Sequence, residues 1–283
     1  MSGFTEETTS GFESLVKCIN ELPPLPQSVQ KIQSLYSAGE PDLKELVKLI
    51  ESDPILTADI LARANSPVYS FSKNILSVMQ AITLFGSASV RGFVLSSAVN
   101  RNFEIDMQAY SITNNTYVNV CNLQSALMFQ WYMSVDIEHV KFLAPVAFLM
   151  ETGKVIIAKE VNDSAYAELF KEELNNTGSI EEAERLFTDR TSSQICALLF
   201  EHWYFDESFI LTMQFLDDVK KAPLYIQTYI KALNVVRRAV NINEQLSPES
   251  IEAAALMVGE LGFNEERFLH AAQRLQKKLY ENS

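Results

Sequence analysis

Three observations on the sequence predict an all-α fold. Apolar residues recur at three- and four-residue intervals in one segment after another, which is the signature of helices with one buried face. No stretch alternates apolar and polar residues over the length of a strand. Glycine numbers only 9 in 283 residues, well under the roughly 7% of an average protein.

Residues 1–11 are polar and read as a flexible start, after which Phe12, Leu15, Val16 and Ile19 share one helical face. The run Leu22-Pro23-Pro24-Leu25-Pro26 must stop that helix, because proline lacks the N–H and clashes with the preceding turn. A second stripe, Val29, Ile32, Leu35 and Tyr36, closes at Gly39, a residue suited to a left-handed C-cap. Asp42 with Glu45 resembles a capping box ahead of Leu43, Leu46, Val47 and Ile50. Asp53-Pro54 supplies an N-cap and a proline in the first turn for a helix through Leu56, Ile60 and Ala64, ending near Asn65-Ser66-Pro67. A loop with Tyr69 and Phe71 is expected over 68–76. Ser77 and Gln80 then cap a helix bearing Val78, Ala81, Ile82 and Phe85, and Gly86-Ser87 separates it from one bearing Val90, Phe93, Val94 and Ala98.

A long helix follows over Asn114–Met133, with Val118, Cys121, Leu127, Met128 and Trp131. The stretch from His139 to Glu160 is the most apolar in the chain and reads as a central buried helix, with Pro145 marking a kink or its first turn. Lys141, Glu151 and Lys154 argue against a membrane span, since charges near the middle are costly in lipid. Tyr166, Leu169, Phe170 and Leu174 form the next stripe, ending at the turn Asn175-Asn176-Thr177-Gly178, and Ile180, Ala183, Leu186 and Phe187 begin another. Ser247-Pro248 starts a helix with Ile251, Ala254, Ala255 and Val258, and Asn264 starts one with Phe268, Ala272, Leu275 and Leu279. These last stripes need a surface to cover, supplied either by the rest of the chain or by a second copy in a homodimer.

Composition narrows the function classes. A net charge of −13 repels nucleic acid and anionic membrane alike. Two short helices over residues 40–65 invite a helix-turn-helix reading, but Lys44, Lys48 and Arg63 face six acidic residues there, the opposite of what phosphate contacts need. Cys18, Cys121 and Cys196 are far apart and in no metal spacing, which suits buried thiols in a reducing compartment. The opening segment has no basic region followed by an apolar run, so a cytoplasmic location is expected. His139, His202 and His270 lie in no H-x-x-x-H pattern, and no G-x-S-x-G elbow exists. The pairs Glu6-Glu7, Glu172-Glu173 and Glu181-Glu182 read as solvated helix starts that complement the macrodipole.

The run Phe148-Leu149-Met150-Glu151-Thr152-Gly153-Lys154-Val155 resembles the L-L-H-D-I-G-K-L signature of HD-type metal phosphohydrolases, with Met150-Glu151 in place of the His-Asp pair. A thioether is a poor ligand for the ions that hydrolyse phosphodiesters. A P-loop reading of Gly153-Lys154 fails, because Phe148 stands where glycine is needed and Val155 where Ser or Thr is.

Several ordered motifs between Leu22 and Trp203 resemble the HDOD family, the HD-related output domains of bacterial signalling. They are Leu22-Pro23-Pro24-Leu25-Pro26, the run from Asp53-Pro54 to Asn65-Ser66, and Ala81-Ile82-Thr83-Leu84-Phe85-Gly86 followed by Val90-Arg91. Phe85 replaces the family's usual leucine. The segment from Gln194 to Trp203 resembles the family's E-V-G-A-x-L-L-x-x-W, which places Ser192 where HD-GYP-type relatives carry histidine and Leu216-Asp217 near their His-His pair.

The resemblance implies an N-terminal helical bundle (12–104) packed on an HD-like bundle (105–221). Helices over 222–283 would complete the HD-like part. It also implies a non-catalytic module that binds regulatory proteins, with no catalytic residues, metal or cofactor. A nucleotide sensor, or a cryptic phosphohydrolase in which Glu151 and Asp217 recruit a metal, is the alternative. Asn65, Ser66 and Arg91 are the nearest approach to a site, and helix capping and joining account for residues of these types.

Overall fold

In the computed structural model, residues 4–66, 69, 74–102 and 105–281 are described. They form sixteen α-helices. In order these are α1 (Phe4–Asn20), α2 (Gln27–Ser37), α3 (Leu43–Glu51), α4 (Pro54–Ala64), α5 (Val78–Phe85), α6 (Ser87–Asn102), α7 (Asn114–Tyr132) and α8 (Ile137–Leu149). The second half continues with α9 (Thr152–Asn162), α10 (Ala167–Thr177), α11 (Ile180–Thr188), α12 (Ser192–His202), α13 (Glu207–Gln214), α14 (Leu224–Ala239), α15 (Pro248–Glu260) and α16 (Glu265–Glu281). Among the described residues the only extended pairing is an isolated antiparallel bridge between Val240 and Gln245. The fold is all-α, as the periodicity predicts.

Most helix starts are set by local chemistry. The Asp42 carboxylate accepts from Lys44 N, the Ser77 hydroxyl from Gln80 N and the Ser247 hydroxyl from Ser250 N, each satisfying an N–H that has no partner within its helix. Two sequence expectations are corrected. The flexible start expected over 1–11 is helical from Phe4, while residues 1–3 lie outside the described residues. Glu172-Glu173 lie in the middle of α10 and not at its start, where Glu168 is the acid of the first turn. Of the loop expected over 68–76, residues 68 and 70–73, including Phe71, lie outside the described residues.

The central stretch is two helices and not one. Pro145 sits inside α8 and does not end it, whereas the chain breaks at Met150-Glu151. Both facts have a tertiary cause. A Cβ on Gly92 of α6 would lie 2.2 Å from the Pro145 Cβ, so the bare glycine backbone lets the proline ring pack against α6. A Cβ on Gly153 would lie 1.8 Å from the Ser192 carbonyl oxygen, so the start of α9 is pressed backbone-to-backbone on the start of α12. Glu151 takes φ −93° and ψ 0°, a conformation that ends one helix and opens the next.

The contacts divide the chain into two compact units that interleave along the sequence, where the expected segmentation was linear. One comprises Met1–Pro24, Asn102–Asn119 and Met150–Lys231, and the other Leu25–Arg101, Val120–Leu149 and Ala232–Ser283. In the first, Leu15, Ile156, Phe170, Ile195 and Phe200 are fully buried. In the second, Ile32, Ile50, Ile60, Trp131 and Phe268 are fully buried, and the Trp131 ring meets Phe263 and Phe268 edge-on. The stripes of α15 and α16 are therefore covered within this unit of the same chain.

The α4 start carries a charged joint. Asp53 accepts from Leu56 N at 3.0 Å, from the Ser28 hydroxyl at 2.8 Å, and from Arg101 at 3.0 and 3.3 Å. Burial raises the Asp53 carboxyl, but these donors outweigh it and hold it down at about 2. Because the folded value lies below the unfolded one of about 3.9, this contribution is present above that pH and is lost as pH falls toward the folded value. Acid unfolding of Asp53→Asn should accordingly be flatter than that of the wild type across this window. An identical acid profile would show that the joint carries no stability.

Candidate functional site

Two of the positions where HD relatives carry metal ligands, Glu151 and Ser192, converge, but on a lysine. In the first unit the Lys154 ammonium lies 2.7 Å from Glu151 Oε2, 3.0 Å from Ser192 Oγ and 3.7 Å from Glu184 Oε1. The Lys154 and Glu151 side chains are each 3% exposed and that of Glu184 is 0% exposed. Glu184 also accepts from the Tyr110 hydroxyl at 2.8 Å and from Ser192 N at 2.6 Å. A buried ion costs several kcal/mol unless it is paired and hydrogen-bonded, and each group here is both.

Local structure explains how the cluster is assembled. Glu151 and Lys154 are three residues apart around the first turn of α9, and so lie on one face. Ser192 is the first residue of α12, where a backbone N–H lacks a helical partner, and Glu184 caps it with a charge that the α12 dipole favours. Burial pushes the Glu184 carboxyl up, against the pull of Lys154, Ser192 and Tyr110. Burial first, and then the charge of Glu184, pushes the Tyr110 phenol well up, so that it stays a donor. Ser192 beside Lys154 has the residue types of a nucleophile–base pair. With Ser192 fully buried and the ammonium paired to Glu151, however, the arrangement holds charge in place and presents no nucleophile to solvent.

The remaining predicted positions lie around the same helix start. Asp217 accepts from Thr191 Oγ1 at 2.5 Å and from Ser193 Oγ at 3.4 Å, while Thr191 and Gln194 form a capping box. Leu216 and Met150 are buried. Glu151 and Asp217, the carboxylates expected to share a metal in the alternative reading, are engaged by different partners. The residues do not fit the metal of HD enzymes. A thioether stands at one ligand position, a hydroxyl at another, and an ammonium lies within hydrogen-bonding distance of the carboxylate at a third. Among the described residues no group of three His, Cys, Asp or Glu side chains is placed to hold an ion.

The HDOD-like motif residues of the second unit are joints. Asn65 donates to the Leu61 and Ile75 carbonyls and accepts from Ile75 N, each at 2.8 Å, stapling the residues before α5 to the end of α4. The Ser66 carbonyl accepts from Tyr69 N at 3.1 Å. Arg91 donates twice to Gln33 Oε1, at 3.1 and 2.7 Å, and stacks over the Tyr36 ring at 4.8 Å, so it joins α6 to α2. The histidines are dispersed, with His139 in α8 at 3.4 Å from Asp136, His202 ending α12 and His270 in α16. Cys121 and Cys196 are buried, and Cys18 is half-buried with its thiol pushed up by burial.

Sequence reasoning passed over Lys154, Glu184 and Tyr110 as partners. Glu184 was detectable, because it occupies the i+4 position of the stripe Ile180, Ala183, Phe187 and so had to be buried with a counter-charge. Tyr110 lies in a short 3-10 turn with no periodicity to mark it.

Comparison with known proteins adds the family. The HDOD domain matches residues 22–219. The chain belongs to the HDOD family. Among curated proteins, a Treponema pallidum protein described only as uncharacterized is 25% identical over 112 residues, 39% of this chain. That match spans 22% of the relative's length. Among solved structures, a virulence factor of Campylobacter jejuni is 26% identical, with 94% of this chain and 96% of that one aligned at a TM-score of 0.58. A candidate signal transduction protein of Marinobacter aquaeolei aligns at 0.70 with 19% identity, over 96% of this chain and 63% of that one. A candidate phosphohydrolase of Shewanella amazonensis aligns at 0.67 with 16% identity, over 94% and 95%. The last two likenesses are of fold alone. In this HDOD chain no described helix is long and apolar enough to cross a membrane.

Proposed function

We propose that this chain is a non-catalytic HDOD module that acts in the cytoplasm by binding regulatory proteins. The observation that carries the reading is the chemistry at the HD ligand positions, where the buried Met150 thioether and Ser192 hydroxyl stand in place of imidazoles and Glu151 is ion-paired to Lys154. A thioether and a hydroxyl are poor substitutes for the imidazoles that hold such an ion, and without it a phosphodiester meets no Lewis acid. The net charge of −13 supports protein partners over nucleic acid.

Two measurements test it. Affinity purification of the tagged chain under several growth conditions should recover the same regulatory protein reproducibly, and failure to do so would remove the main support for a binding role. Metal analysis together with calorimetric titration of a nucleotide panel should give neither stoichiometric metal nor binding. Turnover of a cyclic or linear nucleotide, abolished by Glu151→Ala, would make the chain a phosphohydrolase. Binding without turnover would make it a sensor.

A further inference from the structure

We propose that the groove between α3 and α5 in the second unit is a docking site for an acidic amphipathic helix of a protein partner. The inference deepens the protein-binding reading and rests on it. The groove measures about 500 Å³ and is lined by Lys44, Val47, Lys48 and Glu51 of α3, Ser52 after it, and Met79 of α5. All of these residues belong to one compact unit. That volume falls among the clefts of roughly 300–1,000 Å³ that bind ligands, but the groove is shallow and open to solvent. A small molecule would stay wet there, whereas a helix can be laid in it lengthwise.

Two observations say what the groove fits. The first is apolar surface that the core leaves unused. Leu46 and Ile50 of α3 and Val78 and Ile82 of α5 are buried, which fixes the two helices beneath the groove. Leu43, one turn before Val47, is instead 43% exposed and Val47 is half-buried. Met79 is 38% exposed, and Leu76, three residues before it, is 76% exposed. The unbranched methionine chain adapts to partners of differing shape.

The second observation is charge. Over residues 40–65 acids outnumber bases, yet of those acids only Glu51 lines the groove. Asp53 and Asp59 are engaged by Arg101, and the Asp42 carboxylate caps α3. Among the described residues no carboxylate pairs with the Lys44 or Lys48 ammonium. Two lysines therefore stand against one glutamate on a chain whose net charge is −13. Lys44 and Lys48 lie one turn apart on α3, and Glu51 about one turn further on. The complementary helix presents two carboxylates one turn apart beside an apolar stripe, followed by a basic residue at the Glu51 end. Nucleic acid and anionic membrane would meet the repulsion of the rest of the chain, and a phosphate backbone offers nothing to Val47 and Met79.

The test is fluorescence anisotropy of the purified full chain with three labelled peptides of about 18 residues, a length that sustains a helix. The first peptide carries leucines at helical spacing, a glutamate pair one turn apart and a lysine beyond it. The second exchanges the signs of those charges, and the third has the composition of the first in an order without an apolar face. The wild type should bind the first tighter than either of the others by about tenfold or more. Lys44→Glu with Lys48→Glu should reverse the preference toward the second peptide, and Lys44→Arg with Lys48→Arg should keep it. Met79→Glu should weaken the first peptide by a similar factor. All three positions are exposed, so the variants should melt with the wild type. The proposal is overturned if the wild type binds the first and third peptides equally, or if the double glutamate variant leaves the preference unchanged. It is also overturned if the wild type, but not that variant, sediments with phosphatidylserine vesicles, which would make the site a membrane contact. A wild-type dimer that Met79→Glu dissociates would overturn it too, by making a second copy the occupant. Affinity purification with the wild type and the double glutamate variant separates this proposal from the reading it rests on. The same proteins recovered by both would remove the groove and keep the binding role, whereas no protein recovered by the wild type would count against the binding role and leave the groove to be judged on the peptides.

Discussion

Lys154→Met is expected to destabilise the fold by about 3–5 kcal/mol, the usual result of removing one partner from a buried ion pair. The loss comes mainly from the two carboxylates left behind, since methionine restores most of the lysine's volume. Urea unfolding followed by circular dichroism measures it, and a loss below about 1 kcal/mol would place the cluster among weak surface-like pairs. The pH profile carries the same information with a defined sign. Glu184 has its folded pKa raised by burial. Its contribution is therefore full below the unfolded value of about 4.3 and is lost as pH rises through the folded one. Without Lys154, which pulls that pKa down, the loss of stability with rising pH should be steeper than in the wild type. Glu184→Gln should flatten it.

The second large effect is expected at Met150. The residue closes α8 and is 1% exposed, so truncation leaves a cavity that the neighbouring backbone cannot easily collapse. Met150→Ala should cost about 2–5 kcal/mol, as large-to-small core changes do. Restoring the HD pair as Met150→His with Glu151→Asp should also lower stability and yield no tight metal binding. The shorter carboxylate draws back from Lys154, and Ser192 and Leu216 bring no ligand to the imidazole. Tight metal binding by this double variant without loss of stability would show that a hydrolase-like cavity persists.

How much of this was legible varies with the range of the forces involved. Helix starts were readable at Asp42, Asp53, Ser77, Ser247 and Asn264, because a cap is a contact within a few residues. The helix break was misplaced. Proline marks a local cost at Pro145, but the fold accommodates it with Gly92, 53 residues earlier in the sequence, and then breaks the chain where Gly153 meets Ser192. Arg91 was read as a residue that joins helices, and Gln33 and Tyr36 on α2 are partners that only packing could name.

The sequence by itself determined the all-α class, through apolar spacing that only helices can bury on one side, and the family, through ordered motifs from Leu22 to Trp203. It also offered Met150, Glu151, Ser192 and Leu216-Asp217 as the residues that the resemblance sets at HD ligand positions, and residue identity decides what can bind a metal. Only the tertiary structure decided what those positions do instead. Glu151 and Lys154 are neighbours at one helix start, but their neutralisation depends on Glu184 and Ser192, which come from the middle of α11 and the start of α12. The physical reason is that a buried charge is stable only with counter-charges and donors within a few ångströms, and for residues 30 or more positions apart that distance is set by packing.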